Sequence, residues 1–270
     1  MAAYEYIKKR LNTMHGERQT WEDHWQEILD YVMPRKAEIT LHRAKGEKRT
    51  DVLFDSTAIT AAHLLAASLQ GTLTSPSLRW FSIKLRDEEL NLDRDVQLCM
   101  EDSSLRMYNV FNGTNFNSEV HELYLDLVSI GTGCLFVEEG KKGFDVDLIN
   151  FRCMHIAEYY IQENVMGVVD TLYRKYKLSA RQAIQEFGED MVGEKVIEAG
   201  KNKPDKMFTF IHAVEPTEDY ERSMGKSRTK LPFHSCHVCE EDKMVVRESG
   251  YIEFPYLVPR WSKATGEIFG

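Results

Sequence analysis

Apolar residues recur at helical spacing near the start of the chain. In residues 3–33 they form one continuous stripe, made up of Ile7, Leu11, Met14, Trp25, Ile28, Leu29 and Val32. A stripe with this period predicts one long amphipathic helix over residues 3–33. Pro34 ends it, since proline cannot continue a helical hydrogen-bond ladder. His15 and Gly16 interrupt the pattern and could split or bend the helix.

Three further helices are predicted before residue 131. Asp55 or Ser56 can cap a helix rich in alanine and leucine that runs to about Gln70, with Gly71 at its end. Residues 92–111 form another, with a glycine shortly beyond it. Between these two, residues 79–85 alternate well enough to predict a strand.

The segment 115–139 is the most informative stretch of the chain. Its first part repeats apolar side chains at helical spacing, namely Phe116, Val120, Leu123, Leu127 and Ile130. Gly131 and Gly133 supply the left-handed or close-approach positions at which helices end. After them the apolar period changes from helical to two, with Leu135 and Val137 on one strand face. The segment therefore predicts a helix that turns directly into a strand.

The second half of the chain is predicted to be rich in strands. Strands are predicted over residues 134–139, 143–150, 156–162, 168–176, 207–215, 231–239 and 244–248. Two short helices come between the fourth and fifth strands, the first starting at a capping box on Ser179. Residues 218–230 are interpreted as a polar loop.

These elements predict an α+β fold, in which long N-terminal helices precede a mixed, mainly antiparallel β region with short helices. The change of period suggests a helical region over residues 1–131 and a β-rich region over residues 132–270.

Composition is that of an ordinary globular chain. The 270 residues are 43% hydrophobic and 29% charged, which is usual for globular proteins. No apolar run approaches the length that spans a bilayer, and the first residues have no secretory signal pattern. Five scattered cysteines suit a reducing compartment and free thiols. The net charge of −9 argues against a protein that grips DNA tightly, because such proteins are normally basic.

A metal site is one hypothesis for the segment 234–239. Cys236 and Cys239 have Cys-x-x-Cys spacing, and His234 and His237 lie beside them. This combination has the softness and spacing that zinc prefers. Against it, no second pair of ligands lies at finger spacing, and a strand would send neighbouring side chains to opposite faces. We therefore expect a strand with free thiols and no cofactor.

A metal-dependent nuclease is the alternative enzymatic hypothesis. Asp205, Glu241 and Asp242 could hold Mg²⁺ while Lys243 stabilises developing charge. Such residues also occur together by accident in charged chains, as a linker and a solvated hairpin tip. No nucleophile elbow and no complete phosphate-binding loop is present. We expect no catalytic activity.

Residues 35–50 contain the one sizeable cluster of basic side chains. It consists of Arg35, Lys36, Arg43, Lys45, Lys48 and Arg49. These residues could contact DNA phosphates or the acidic face of a neighbouring subunit. The favoured interpretation is instead a solvated loop that keeps the protein soluble, because charge runs usually have that role.

The order of several short runs resembles one family. The segment 115–139 resembles the head-to-tail connecting (portal) proteins of short-tailed bacteriophages, and the likeness extends over about residues 20–260. Further runs that carry it are Trp21–Trp25, Tyr31–Arg35, Phe54–Thr57, Gly71–Pro76, Arg79–Phe81, Glu158–Ile161, Val169–Arg174, Ala180–Gly188 and Phe254–Trp261. No single run is a chemical signature, so their shared order carries the resemblance.

The resemblance implies a structural role in the virion. Portal subunits of this family form a ring, usually of twelve copies, at one capsid vertex, where double-stranded DNA is packaged and ejected. Implied partners are other portal subunits, capsid and scaffolding proteins, the packaging terminase and tail adaptor proteins. The implied fold is wing-like, without cofactor or membrane, and assembly takes place in the host cytoplasm. Portals of this kind are longer, so we expect channel-lining and tail-binding parts beyond Gly270.

Overall fold

The computed structural model describes residues 3–41, 44, 46–140, 149–225, 227 and 229–270. The chain divides into two compact units. Unit 1 is Met1–Trp25, His155–Pro255 and Gly266–Ile268. Unit 2 is Gln26–Met154, Tyr256–Thr265 and Phe269–Gly270. The division falls inside the first helix, α1 (Ala3–Val32).

Unit 1 is built on a five-stranded antiparallel sheet. Its strands are β3 (Tyr159–Glu163), β4 (Val169–Ser179), β5 (Met207–Pro216), β6 (Phe233–Cys239) and β7 (Met244–Tyr251). They lie in chain order across the sheet, so each pairs with the strand before it. Helices α5 (Ala180–Phe187) and α6 (Glu194–Asn202) connect β4 to β5, and α7 (Thr217–Met224) connects β5 to β6. Sheets in which consecutive strands are neighbours are common, because elements adjacent in sequence are usually adjacent in space.

Helices cover both faces of this sheet. The alternation of β5 shows why: Ile211 and Ala213 belong to the cluster that contains α1, whereas Phe208 and Phe210 belong to the cluster that contains α5 and α6. Successive side chains of a strand point to opposite faces, so one strand supplies two cores. From α1 the first cluster takes Tyr4, Ile7, Leu11 and Met14. Unit 1 is therefore a three-layer arrangement of helix, sheet and helices.

A buried ionic group fixes α1 to its side of the sheet. Glu215 of β5 has no exposed surface, and its carboxylate lies 2.9 Å from the Arg10 guanidinium. The hydroxyls of Tyr6 and Tyr173 donate to the same carboxylate at 3.1 and 2.9 Å. Burial raises the pKa of Glu215, while Arg10 and the two tyrosines act in the opposite direction. Each carboxylate oxygen thus has a partner, as a buried charge requires.

Unit 2 combines helices with a smaller sheet. Its helices, apart from the end of α1, are α2 (Thr57–Leu73), α3 (Arg94–Gly113) and α4 (Phe116–Ile130). Its antiparallel strands are β1 (Leu135–Glu139), β2 (Ile149–Cys153) and β8 (Tyr256–Leu257), in the order β2-β1-β8.

The turn from α4 into β1 follows the predicted chemistry. Gly131 closes the helix in the left-handed conformation with φ of 74°, which glycine adopts without steric cost. Gly133 is needed for a different reason, because a Cβ there would lie 2.6 Å from the Leu123 side chain. Gly131 therefore caps the end of α4, and Gly133 allows the backbone to lie close to the Leu123 side chain.

The predicted α+β class is confirmed, with seven α-helices and two antiparallel sheets among the described residues. Pro34 ends α1, which runs unbroken through Gly16, and Ser179 forms the predicted capping box. The turn at residues 140–143 and the strand at 143–150 lie mostly outside the described residues. The division at residues 131 and 132 stays a prediction.

Three element predictions were wrong. Residues 79–85 were predicted to form a strand, but they are not in a strand, because side chains rather than a neighbouring strand bind their backbone. The segment 218–230 was predicted to be a loop, but it begins with α7, whose Tyr220 is buried and stacks on His234 at 3.7 Å. Tertiary packing outweighs the polar composition there. Gly71 does not end α2, which continues to Leu73, since its backbone keeps an ordinary φ.

Within the described part of the chain, none of the helices has both the length and the apolar character of a membrane span.

We predict that Ile7→Ala destabilises unit 1. Ile7 is fully buried between α1 and the sheet, so truncation leaves a cavity and should lower the free energy of unfolding by about 2–5 kcal/mol. Urea unfolding followed by circular dichroism measures this change. Lys9→Ala, at an exposed position of the same helix, is the control and should change stability little. Equal stability of the two variants would contradict the packing described for α1.

We also predict that stability falls in mild acid because of His212. This side chain is buried, stacks on His237 at 3.9 Å, and its Nε2 lies 2.9 Å from the Ser235 hydroxyl. Burial, helped by Arg174 and Arg247, lowers the pKa of His212 from 6.5 to about 3. The unfolded chain therefore takes up this proton first. The contribution of His212 is complete above pH 6.5 and is lost as the pH falls towards 3.

The measurement is the free energy of unfolding at several pH values between 7.5 and 5. For one such group the slope approaches about 1.4 kcal/mol per pH unit below the unfolded-state pKa. His212→Gln should flatten the pH dependence, whereas His24→Gln, at an exposed position, should leave it unchanged. A pH profile identical in the wild type and His212→Gln would refute this assignment.

Candidate functional site

The zinc candidates of β6 are separated by the sheet. Cys236 lies in the core cluster that contains α1, and Cys239 lies in the cluster that contains α5 and α6. His234 contacts the Glu248 carboxylate at 3.0 Å, while His237 is stacked on the imidazole of His212. Side chains on opposite sheet faces cannot share a tetrahedral metal ion.

The environment of the Cys239 thiol also favours its neutral state. Burial raises the pKa of Cys239 to about 11; backbone hydrogen bonds from Asp242 and Glu241 oppose this, while the negative charges of the same two residues favour it. A metal ligand must be the thiolate, which this environment disfavours. In the residues that the structure describes, no three His, Cys, Asp or Glu side chains are grouped so that they could hold a metal.

Three of the four residues of the nuclease hypothesis lie in the β6–β7 hairpin and have structural roles there. Both carboxylate oxygens of Glu241 accept from the Thr209 backbone N–H, at 2.9 and 3.0 Å. Asp242 lies 3.9 Å from the Lys195 ammonium, and Lys243 takes the positive φ of 52° at the hairpin tip. Asp205 is exposed in the turn before β5, and no described polar contact joins it to this hairpin.

The described part of the basic cluster is mostly neutralised within unit 2. Lys36 lies 2.7 Å from Asp126 and 2.8 Å from Glu122. Burial opposes its charge, but the nearby carboxylates outweigh that effect and raise the pKa of Lys36. Lys48 pairs with Asp51 at 3.5 Å, and Arg49 pairs with Glu38. Arg35 is exposed, and Arg43 and Lys45 lie outside the described residues. The structure thus leaves little net positive charge for a phosphate backbone here.

A different surface of unit 2 has the features of an interaction site, and the sequence analysis did not identify it. Helix α2 contains no Asp, Glu, Lys or Arg over 17 residues. Only Ala62 and Ala66 are fully buried, whereas Leu64 is 68% and Leu73 is 55% exposed. The outward leucines of this uncharged helix do not stabilise the single chain, because they are not buried. Exposed apolar residues grouped in this way are typical of a protein–protein interaction surface.

The opposite side of α2 packs on α4. The Gln70 side chain donates to the Asn117 carbonyl at 2.8 Å and lies 2.9 Å from His121 Nδ1. Thr74 and Tyr124 hydroxyls lie 3.2 Å apart at the end of the helix. These contacts fix which face of α2 is turned outward.

The segment 79–85 is extended, but side chains rather than a strand satisfy its backbone. The Phe81 N–H donates to the Tyr108 hydroxyl, which itself donates to the Phe81 carbonyl at 2.8 Å. The Ile83 N–H donates to Ser104 Oγ at 3.1 Å. The Leu85 N–H donates to Asn91 at 2.8 Å, and the Asn91 amide donates back to the Leu85 carbonyl. Side chains of α3 and the turn before it thus take the place of a neighbouring strand.

The other edge of this segment is free. In an extended chain, alternate residues direct their backbone groups to opposite sides. Phe81, Ile83 and Leu85 face the side chains just described, so Trp80, Ser82 and Lys84 face away. Among the described residues these three have no backbone hydrogen-bond partner, and all three are exposed. An exposed row of such groups can accept another extended segment.

Aromatic contacts hold the segment in place. Phe81 stacks on Tyr108 at 4.3 Å, and Trp80 lies parallel to Phe116 at 6.0 Å between ring centroids. Phe116 continues the cluster to Phe151 of β2 at 5.1 Å. The segment that carries this free edge is therefore held in place by a packed aromatic core. The alternation of residues 79–85 was a signal for this edge, but the sequence could not reveal that none of the described strands pairs with it.

The sequence of this chain is similar to that of known phage proteins. The family model of the bacteriophage head to tail connecting protein matches residues 5–270. The probable portal protein of Bordetella phage BPP-1 is 30% identical over 268 residues, covering 98% of this chain and 47% of that protein. The portal protein of Salmonella phage epsilon15 is 30% identical over 270 residues, covering 98% of this chain and 48% of that protein. The chain spans about half the length of these two relatives.

We predict that Tyr108→Phe loosens the extended segment. The substitution removes the hydroxyl that bridges both backbone groups of Phe81, and should lower the free energy of unfolding by about 1–3 kcal/mol. Trypsin should also cut more quickly at the exposed Lys84 and Arg86. The control, Tyr31→Phe, removes a hydroxyl at an exposed position and should change neither quantity. Unchanged stability and cleavage in Tyr108→Phe would show that the side-chain ladder is unimportant.

Proposed function

The chain belongs to the family of bacteriophage head-to-tail connecting proteins, and on this premise we propose that it is a structural subunit of a portal ring. In this role the ring joins head to tail, and double-stranded DNA is packaged and ejected through it. The observation that supports the proposal most strongly is the family match over residues 5–270, because it covers nearly the whole chain. The two relatives are named as a probable portal protein and a portal protein, which agrees with it.

The outer surface of unit 2 suits subunit contacts in such a ring. A ring needs heterologous contacts, in which two different patches of each copy meet. The exposed leucines of α2 and the free edge at residues 80–84 are two such patches on one unit. Burial of apolar area in a neighbouring copy would give α2 the packing that it lacks in the single chain.

The further partners follow from the proposed role. They are other copies in a closed ring, for which the resemblance implies twelve, together with capsid, scaffolding, terminase and tail adaptor proteins. DNA would pass without sequence-specific contact, which agrees with the net charge of −9. Arg35 and Lys48 remain candidates for contact with DNA or a neighbouring subunit. The site of action would be the portal vertex of the virion, after assembly in the host cytoplasm.

The division of labour along the chain is part of the same proposal. Residues 1–131 would form the helical region and residues 132–270 the β-rich region of the subunit. About half the length of each relative has no counterpart in this chain, and we assign channel lining and tail binding to that part.

We propose no catalytic role. Of the nuclease set, Glu241 is engaged through both oxygens with a backbone N–H, and Asp205 is not joined to it. Neither family nor relatives are named for an enzymatic activity.

The proposal predicts where the chain is found in assembled particles. Phage particles that carry a small tag on this chain should show a gold-labelled antibody at a single vertex, next to the tail, after the heads are opened. Untagged particles are the control. Label spread over the capsid, or absent from purified particles, would contradict a portal role.

A further inference from the structure

We infer that the side chain of Phe54 inserts into a pocket on unit 2 of a neighbouring copy of this chain, between residues 79–85 and α3. The inference rests on the proposed ring, because it assigns the residues through which neighbouring copies meet. It goes beyond the family assignment, which names no contact residue.

Phe54 is an unburied aromatic side chain beside a charged flank. It is 99% exposed, and it lies in the loop that leads into α2. Val52, two residues earlier, is also exposed. Leaving a phenyl ring in water forgoes the free energy that its burial would contribute. A ring in this position therefore has the character of an anchor residue, since aromatics dominate the energetics of protein interfaces.

The pocket is an open cavity of about 480 Å³, and its lining combines four apolar residues with polar and charged ones. Phe81 and Ile83 line one side, and Leu92 and Met100 also line it. The position of Phe81 and Ile83 is fixed by the hydrogen bonds of their backbone to Tyr108 and Ser104. The hydrogen bonds that position this wall of the pocket are thus the same ones that leave the other edge of residues 79–85 free.

The charges around the two surfaces are complementary. Asp55 directly follows Phe54, and Asp51 lies three residues before it. Asp51 pairs with Lys48 at 3.5 Å, but both side chains are more than half exposed, so this pair is weak.

The lining of the pocket includes Arg79 and Lys84, together with one acidic residue, Glu101. Arg79 pairs with Glu101 at 3.3 Å, but both side chains are more than half exposed, so the pair is weak. Among the described ion pairs Lys84 has none, so an acidic flank would give it a partner.

The occupant is a second copy rather than the same chain. The exposure of Phe54 shows that it does not fill the pocket of its own chain. Anchor and pocket are different patches of one unit, so their association is heterologous and propagates from copy to copy. Contacts of this type build a ring when the rotation closes.

Disulfide cross-linking between copies tests the inference. In a Cys99→Ser background, Phe54→Cys and Leu92→Cys are made separately and together, since Leu92 is an exposed residue of the pocket wall. After mild oxidation the double variant should form a ladder of covalent oligomers. A mixture of the two single variants should stop at dimers, and each single variant alone should form few. Phe54→Cys combined with Val165→Cys, an exposed position in unit 1, is the matched control and should form no ladder above its background.

Self-association of the intact chain supplies a second readout. Sedimentation velocity over a range of concentrations should show association weakened about thirtyfold by Phe54→Ala, the loss expected for an interface hot spot. Lys84→Glu should weaken association too, and more so at low salt. Val165→Ala should leave it unchanged.

The outcomes separate this inference from the proposed function. Absence of the Phe54–Leu92 ladder together with association unaffected by Phe54→Ala would overturn the inference. The portal proposal would then still stand or fall with the vertex labelling. If the ladder forms but the tagged chain is not found at the portal vertex, the contact between copies is supported and the portal role is contradicted.

Discussion

The structure of unit 1 depends on one buried carboxylate. Glu215 has no exposed surface, so its charge is stable only while Arg10, Tyr6 and Tyr173 remain within hydrogen-bond distance. Breaking a buried pair leaves an uncompensated charge, which costs several kcal/mol, about 3–5 in measured cases. Two of the three partners lie on α1, so the apolar residues of that helix meet the sheet in one register. Apolar packing supplies the affinity of helix for sheet, and the ion pair supplies the specificity.

Unit 2 satisfies its polar groups by a different device, with a consequence for function. Side chains of Tyr108, Ser104 and Asn91 hydrogen-bond to one side of an extended segment, whereas a neighbouring strand would have presented an edge of its own. The outer side of the segment therefore stays available, on the same unit as the pocket and the uncharged helix α2. Helices cover both faces of the unit 1 sheet, while unit 2 exposes a free backbone edge and outward leucines, through which we propose that copies meet.

Local patterns predicted most of the elements but not their partners. The stripe of α1, the glycines after α4 and the capping box at Ser179 are decided by residues close in sequence, and all were predicted. The alternation of residues 79–85 predicted an extended chain, but whether a strand or a helix pairs with it depends on Tyr108, more than 20 residues away. The helix α7 was missed because its apolar contact, Tyr220 on His234, is tertiary. The interaction surface was missed because exposure is not a property of sequence. From the sequence, Phe54 and the leucines of α2 are indistinguishable from ordinary core residues; only the structure shows that they are exposed.

The central claim is that copies of this chain meet through the outer surface of unit 2. The most direct measurement is a cryo-electron microscopy reconstruction, at side-chain resolution, of the tail vertex of the particle that contains it. The account predicts this fold repeated around a closed ring, with α2 and residues 79–85 covered at each subunit boundary and the Phe54 ring buried in the adjacent copy. A ring in which α2 and Phe54 face solvent, with boundaries formed by other surfaces, would contradict it.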